Sequence, residues 1–409
     1  MSDKWQEGNA LTSLSKLQHF LKDHVSEDFL ADLAEGLARS PMVIRITPYL
    51  ASLIDWSEPY TDPIRLQFLP LASQIEENHP LLSYDSLGEQ ADSPVEGLTH
   101  RYGDRVLFLT TDACPVYCRF CTRSYSVGSD TAQVTKINFR YENSKWERVF
   151  EYLASHPEIE DVVISGGDAI RLKPSQLSLI GERLIEMPNI RRMRFATKGL
   201  SVLPMKILSD HAWTDTLTRI CELGRSRHKN ISIHTHINHP NEITDITHRA
   251  MNRLFERGII VRNQSVILRG VNDDAQTMVM LNKKLSYMNI RPYYQFIGDM
   301  VLGVEDLRTS VASAKWLEKS IRGSTSGFNM PSFVLDAPGG GGKRDIHSHE
   351  YYDEMTGLSI YRAPSVTGTK LHIYADPLRT LSPRAQQDWR SPYKRRQIIN
   401  DALCSVNFN

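Results

Sequence analysis

The sequence has no excess of either charge: 48 lysines and arginines are matched by 48 aspartates and glutamates in 409 residues. Nucleic acid or an anionic membrane surface, partners held chiefly by long-range attraction, are therefore not expected. No apolar run approaches the ~20 residues that a membrane-spanning helix needs, and no apolar leader follows Met1. A cytoplasmic location is expected. Cysteine is scarce and odd in number: Cys221 and Cys404 stand alone, while Cys114, Cys118 and Cys121 crowd together. That pattern is a poor disulfide framework and reads instead as metal binding or catalysis. Low-complexity sequence and internal repeats are absent as well, apart from one glycine run. What is present, 41% apolar and 23% charged residues, describes an ordinary globular chain.

Its organisation is legible in the spacing of apolar residues. Residues 1–95 read as a helical front followed by a proline-punctuated wrapping connection. Residues 96–325 alternate short β-branched or aromatic runs (106–110, 162–165, 193–197, 231–234, 259–261 and 292–296) with helical stretches of ten residues or so. This alternation predicts a partial (β/α)6 barrel of the TIM type. Residues 326–409 form a C-terminal segment with a further strand at 332–335 and a glycine run behind it. Polar residues follow the strands: the cysteines after the first, Gly166-Gly167-Asp168 after the second, His236 after the fourth, Asn263-Gln264 after the fifth and Gly298-Asp299 after the sixth. Parallel barrels place their active sites on that face.

The cysteines are spaced Cys114-x3-Cys118-x2-Cys121. Three thiolates so close can bind three irons of a 4Fe–4S cluster, leaving the fourth open to a small molecule. A structural zinc site would want a second cysteine pair, and none exists. The run Pro338-Gly339-Gly340-Gly341-Gly342-Lys343 resembles a phosphate loop only superficially, since Ala337 stands where the first glycine belongs and Arg344 where Ser or Thr should follow. A lysine on a mobile glycine hinge suits a Schiff base, although a purely structural loop remains an alternative reading.

Cys-x3-Cys-Arg-x-Cys-Thr-Arg, Ser-Gly-Gly-Asp-Ala, Asn-His-Pro-Asn-Glu, Leu-Arg-Gly-Val-Asn-Asp and Asp-Ala-Pro-Gly-Gly-Gly-Gly-Lys occur in this order. Together they resemble the lysine 2,3-aminomutase family, radical S-adenosylmethionine (SAM) enzymes that also use pyridoxal phosphate (PLP), over roughly residues 63–365. The resemblance implies that Cys114, Cys118 and Cys121 hold the 4Fe–4S cluster and that SAM binds its fourth iron. Gly166, Gly167 and Asp168 would hold the SAM amino group, with His236 and Gln264 lining the SAM pocket. Lys343 would carry PLP beside Arg101 and Arg105, and Arg123 would bind the substrate carboxylate. Asp299 and Asp336 would clamp a distal ammonium, which implies a basic amino acid. An electron donor such as flavodoxin or ferredoxin, and a homo-oligomer, are implied too.

The chain departs from that family's best-known branch in three places. Its tail has only Cys404 where that branch has a Cys-x-Cys-x2-Cys zinc site, Thr197-Lys198-Gly199 replaces Ser-Arg-Thr, and Phe296 and Gly298 stand where bulkier or hydroxylated residues are common. The reading is therefore 2,3-amino migration on L-lysine, with L-arginine in a roomier pocket as the alternative and a non-catalytic iron–sulfur sensor as a more distant one.

Overall fold

The computed structural model describes residues 1–137 and 142–407. Among them, nine strands form one sheet in sequence order: β1 (Leu98–Tyr102), β2 (Arg105–Thr111), β3 (Asp161–Gly166), β4 (Arg192–Thr197), β5 (Asn230–Thr235), β6 (Ile260–Val266), β7 (Arg291–Phe296), β8 (Ser332–Ala337) and β9 (Gly342–Asp345). Strands β2 to β8 run parallel, while β1 and β9 pair antiparallel at the two edges. Helices between the strands cover the outer face, as the alternation predicts, and the six expected units are all present.

Two expectations are corrected. The strand expected at 259–261 extends to Val266, so Asn263 and Gln264 lie within β6; Asn263 bonds the Ile237 backbone and Gln264 lines the cavity, and these polar residues interrupt the apolar run although the strand continues. The strand expected at 332–335 joins the barrel as a seventh parallel strand, β8, so the sheet runs on past residue 325.

The period-two alternation of strands explains which side chains meet the lumen. In β3, Asp161, Val163 and Ser165 line the interior cavity, whereas Val162 and Ile164 point outward and are fully buried. In β4, Arg194 and Ala196 point in, and Met193 and Phe195 pack outward. The covering helices answer at helical spacing: Asn143–Ser155 buries Trp146, Val149, Phe150 and Leu153 in the same core.

The front of the chain has a smaller core of its own, in which Leu17, Phe29, Leu33, Leu50, Ile64 and Phe68 pack with Val116 of the cysteine loop. This places the front over the loop that follows β2. The last part of the chain forms a three-stranded antiparallel sheet, β10 (His349–Asp353), β11 (Leu358–Arg362) and β12 (Leu371–Ala375), capped by the helix Pro392–Asn407. No helix among the described residues is long and apolar enough to cross a membrane.

Candidate active site

Every candidate residue except Gly166 lines one cavity of about 460 Å³ inside the barrel. Gly166 ends β3 and delivers Gly167 and Asp168 to the wall. The volume falls in the usual range for cofactor sites.

The cysteine loop is held from outside. The Tyr117 amide donates to the Arg45 carbonyl at 3.0 Å and the Arg119 amide to the Gln67 carbonyl at 2.9 Å, both acceptors belonging to the N-terminal region. Arg119 also donates to both Asp306 carboxylate oxygens, at 2.8 and 3.0 Å, a pair almost fully buried. Burial pushes all three thiols up, Cys118 to about 12, and the thiolates repel one another. Only a strongly cationic group would hold them all as thiolates. No three His, Cys, Asp or Glu side chains among the described residues converge on one metal ion. A 4Fe–4S cluster binds each thiolate at a separate iron corner, and three thiols from one loop on one cavity wall fit it.

Beside them, both Asp168 oxygens accept backbone amides, Ile170 at 2.9 Å and Lys198 at 2.8 Å, which locks the Gly-Gly-Asp turn against β4. The His236 ring stacks on Phe120 at 5.5 Å. Burial, then the Lys198 charge, pushes it down to about 3, so it is a neutral imidazole, and its Nε2 is buried without a protein partner. An orphaned polar atom on a cavity wall is costly unless a ligand engages it.

Lys343 lies where the hairpin β8–β9 returns. Its register partner is Asp336, and Nζ stands 3.3 Å from the Asp336 carboxylate and 5.4 Å above the Phe296 ring. Burial alone would lower the Lys343 amine, but the Asp336 carboxylate raises it overall. The expected mobile hinge is corrected here: Pro338 to Gly341 make a tight turn, and Lys343 sits on strand β9. Gly342 has φ +69°, and a Cβ there would lie 2.5 Å from Tyr102 Oη. That approach is used, because Tyr102 Oη accepts the Lys343 amide at 2.9 Å and so joins the two edge strands across the seam of the barrel. Arg101 is tied to Asp92 at 2.7 Å, and the Arg105 guanidinium lies 3.9 Å over the Tyr102 ring. Lys343 with two arginines and aromatic walls is a donor set that fits PLP.

Thr122 Oγ1 donates to Asp299 at 2.6 Å. Burial and the Asp336 carboxylate push the Asp299 carboxyl up, and the Thr122 hydrogen bond offsets part of this. Arg123 is not a free fork: its Nη2 donates to Glu89 at 2.7 Å, and Tyr125 donates to the other Glu89 oxygen at 2.9 Å. Arg123 Nε is buried without a partner. Glu89 escaped the sequence reading because one carboxylate in a proline-rich connection carries no signal. Thr122 was legible in principle, as the residue between the last cysteine and Arg123.

A family model described as Lysine-2,3-aminomutase matches residues 318–352. The L-lysine 2,3-aminomutase of Clostridium subterminale is 38% identical over 347 residues, which span 84% of this chain and 77% of that protein. The chain belongs to the lysine 2,3-aminomutase family. The Fusobacterium nucleatum L-lysine 2,3-aminomutase is 37% identical, over 84% of this chain and 75% of that one. A glutamate 2,3-aminomutase of Clostridioides difficile is 31% identical over 84% of this chain and 76% of its own length. The chain is thus an isomerase, an aminomutase of the radical SAM type whose cofactors are a 4Fe–4S cluster, SAM and PLP and whose substrate is a free amino acid.

Proposed function

We propose that this aminomutase moves the 2-amino group of a basic L-amino acid to carbon 3, converting L-lysine to β-lysine. The observation that carries the reading is that Asp299 and Asp336 both line the cavity that contains Lys343 and Arg123. A carboxylate pair and a guanidinium in one cavity match a zwitterion with a cationic side chain, and two buried carboxylates beside each other call for cationic partners. A glutamate side chain would bring a third negative charge to them.

SAM with the reduced cluster supplies the radical that starts the migration, and PLP supplies the conjugated system that carries it. Cys114, Cys118 and Cys121 are the cluster ligands in this reading, with Gly166, Gly167, Asp168, His236 and Gln264 holding SAM. Lys343, Arg101 and Arg105 hold PLP. Arg123, oriented by Glu89, takes the substrate carboxylate with the donors that Glu89 leaves free. Asp336 pairs with Lys343 in this structure; a distal substrate ammonium can take over that carboxylate once Lys343 is committed to PLP. The barrel walls exclude water from the reacting atoms.

L-Arginine is the second reading, favoured by Gly298, which lines the cavity beside Asp299 without a side chain. An external one-electron donor of the flavodoxin or ferredoxin class and a homo-oligomeric state belong to the same proposal. Three clustered thiols and an oxygen-sensitive cluster suit the cytoplasm. We also read 1–95 as the helical front and 326–409 as the PLP-lysine segment, whose strands β8 and β9 complete the barrel sheet begun in 96–325.

The test is a competition assay under anaerobic conditions with SAM, PLP and reductant, offering L-lysine, L-arginine and L-glutamate together. β-Lysine is expected. β-Arginine alone would replace the first reading by the second, and β-glutamate would sink both. Borohydride trapping followed by peptide mapping should find PLP on Lys343.

A further inference from the structure

Beneath the cysteine loop lies an ion pair that none of the assigned roles uses. Lys198 Nζ stands 2.7 Å from Glu242 Oε2, and the two side chains are 7% and 0% exposed. The ammonium also donates to the His236 carbonyl at 2.9 Å and lies 5.6 Å over the Phe68 ring. Its backbone amide is fixed by Asp168. The other Glu242 oxygen accepts the Asn238 and His239 amides and the Gln67 side chain, at 2.9, 3.0 and 3.2 Å. Neither charge is free to swing away. Burying two ions costs several kcal/mol each, a cost that an apolar pair of similar size would avoid.

The position of the pair points to a use. Lys198 lines the cavity that the cysteines line, whereas Glu242 stands behind it, away from the cavity wall. The cation is therefore the nearer charge. The His236 whose carbonyl it holds is stacked on Phe120, one of the two residues between Cys118 and Cys121.

We propose that the buried Lys198–Glu242 pair tunes the reduction potential of the cluster, with Lys198 as a fixed cation that favours the reduced state and Glu242 as the counter-charge that limits it. One-electron reduction by an external donor adds one negative charge to the cluster. A cation held at short range in a poorly solvated wall stabilises that charge far more than it would in water. The inference rests on reading Cys114, Cys118 and Cys121 as cluster ligands.

The test uses the full chain, reconstituted anaerobically, with iron and sulfide measured and the one-electron couple titrated by electron paramagnetic resonance. Lys198→Met should move the midpoint to more negative potential, Glu242→Gln to less negative potential, and Lys198→Arg should stay near the parent. If Lys198→Met does not fold, the opposite shift in Glu242→Gln still decides the matter. Unchanged potentials, or shifts of one sign, at full iron and sulfide content would overturn the proposal. A parent protein that takes up neither iron nor sulfide overturns the cluster reading itself, an outcome distinct from an unshifted potential.

Discussion

Asp299 carries the most informative single titration in the cavity. Its folded-state affinity for a proton is raised by burial and by Asp336, so in the ligand-free protein this carboxyl favours the fold at low pH and opposes it as pH rises through the raised value. Binding of the proposed cationic substrate has the opposite demand, because Asp299 must be ionised to pair with it. The acid limb of kcat/KM should therefore fall at a higher pH than an ordinary carboxylate would give. Thr122→Val removes the 2.6 Å hydrogen bond that lowers Asp299, and should move this limb to still higher pH. A pH profile of both proteins checks the prediction; an unshifted limb would mean that Asp299 is not the group being titrated.

Among the elements, the β8–β9 hairpin turns a glycine run into a positioned lysine. Gly339 and Gly342 both have left-handed φ, +66° and +69°, yet they differ in surroundings. A Cβ on Gly339 meets nothing within 4 Å, so Gly339→Ala should cost only the conformational strain, about 1–2 kcal/mol. On Gly342 it would collide with the Tyr102 hydroxyl that receives the Lys343 amide. Gly342→Ala should therefore cost more in urea unfolding and also depress borohydride trapping of PLP, while Gly339→Ala leaves trapping near the parent level. The glycines were legible as a lysine-bearing loop, but the strand that carries Lys343 was not. A run of glycines looks the same in sequence whether each one is needed for φ, for close approach, or for neither.

At the scale of the molecule, the N-terminal region and the segment after β7 meet at the cysteine loop through Arg119, which donates to Asp306 and to the Leu66 carbonyl. Arg119→Met would strand a buried Asp306 charge, at a cost of about 3–5 kcal/mol. Thermal unfolding should register that loss, and iron retention should drop with it. Adding Asp306→Leu should restore much of the stability without restoring the tether, so iron retention should stay low in the double variant.

The sequence by itself determined the parts whose chemistry is local. Three cysteines come from one loop, Gly166-Gly167-Asp168 form one turn, and the alternation of strands and helices announces a parallel barrel because each short apolar run must be covered by its own helix. Tertiary structure alone decided which distant groups neutralise each other. Glu89 reaches Arg123 across 34 positions, Lys198 reaches Glu242 across 44, and Tyr102 joins β1 to β9 across 241. Such pairings carry no periodicity, since a buried charge needs only one partner of opposite sign at hydrogen-bond distance, and the folded backbone chooses which residue stands there.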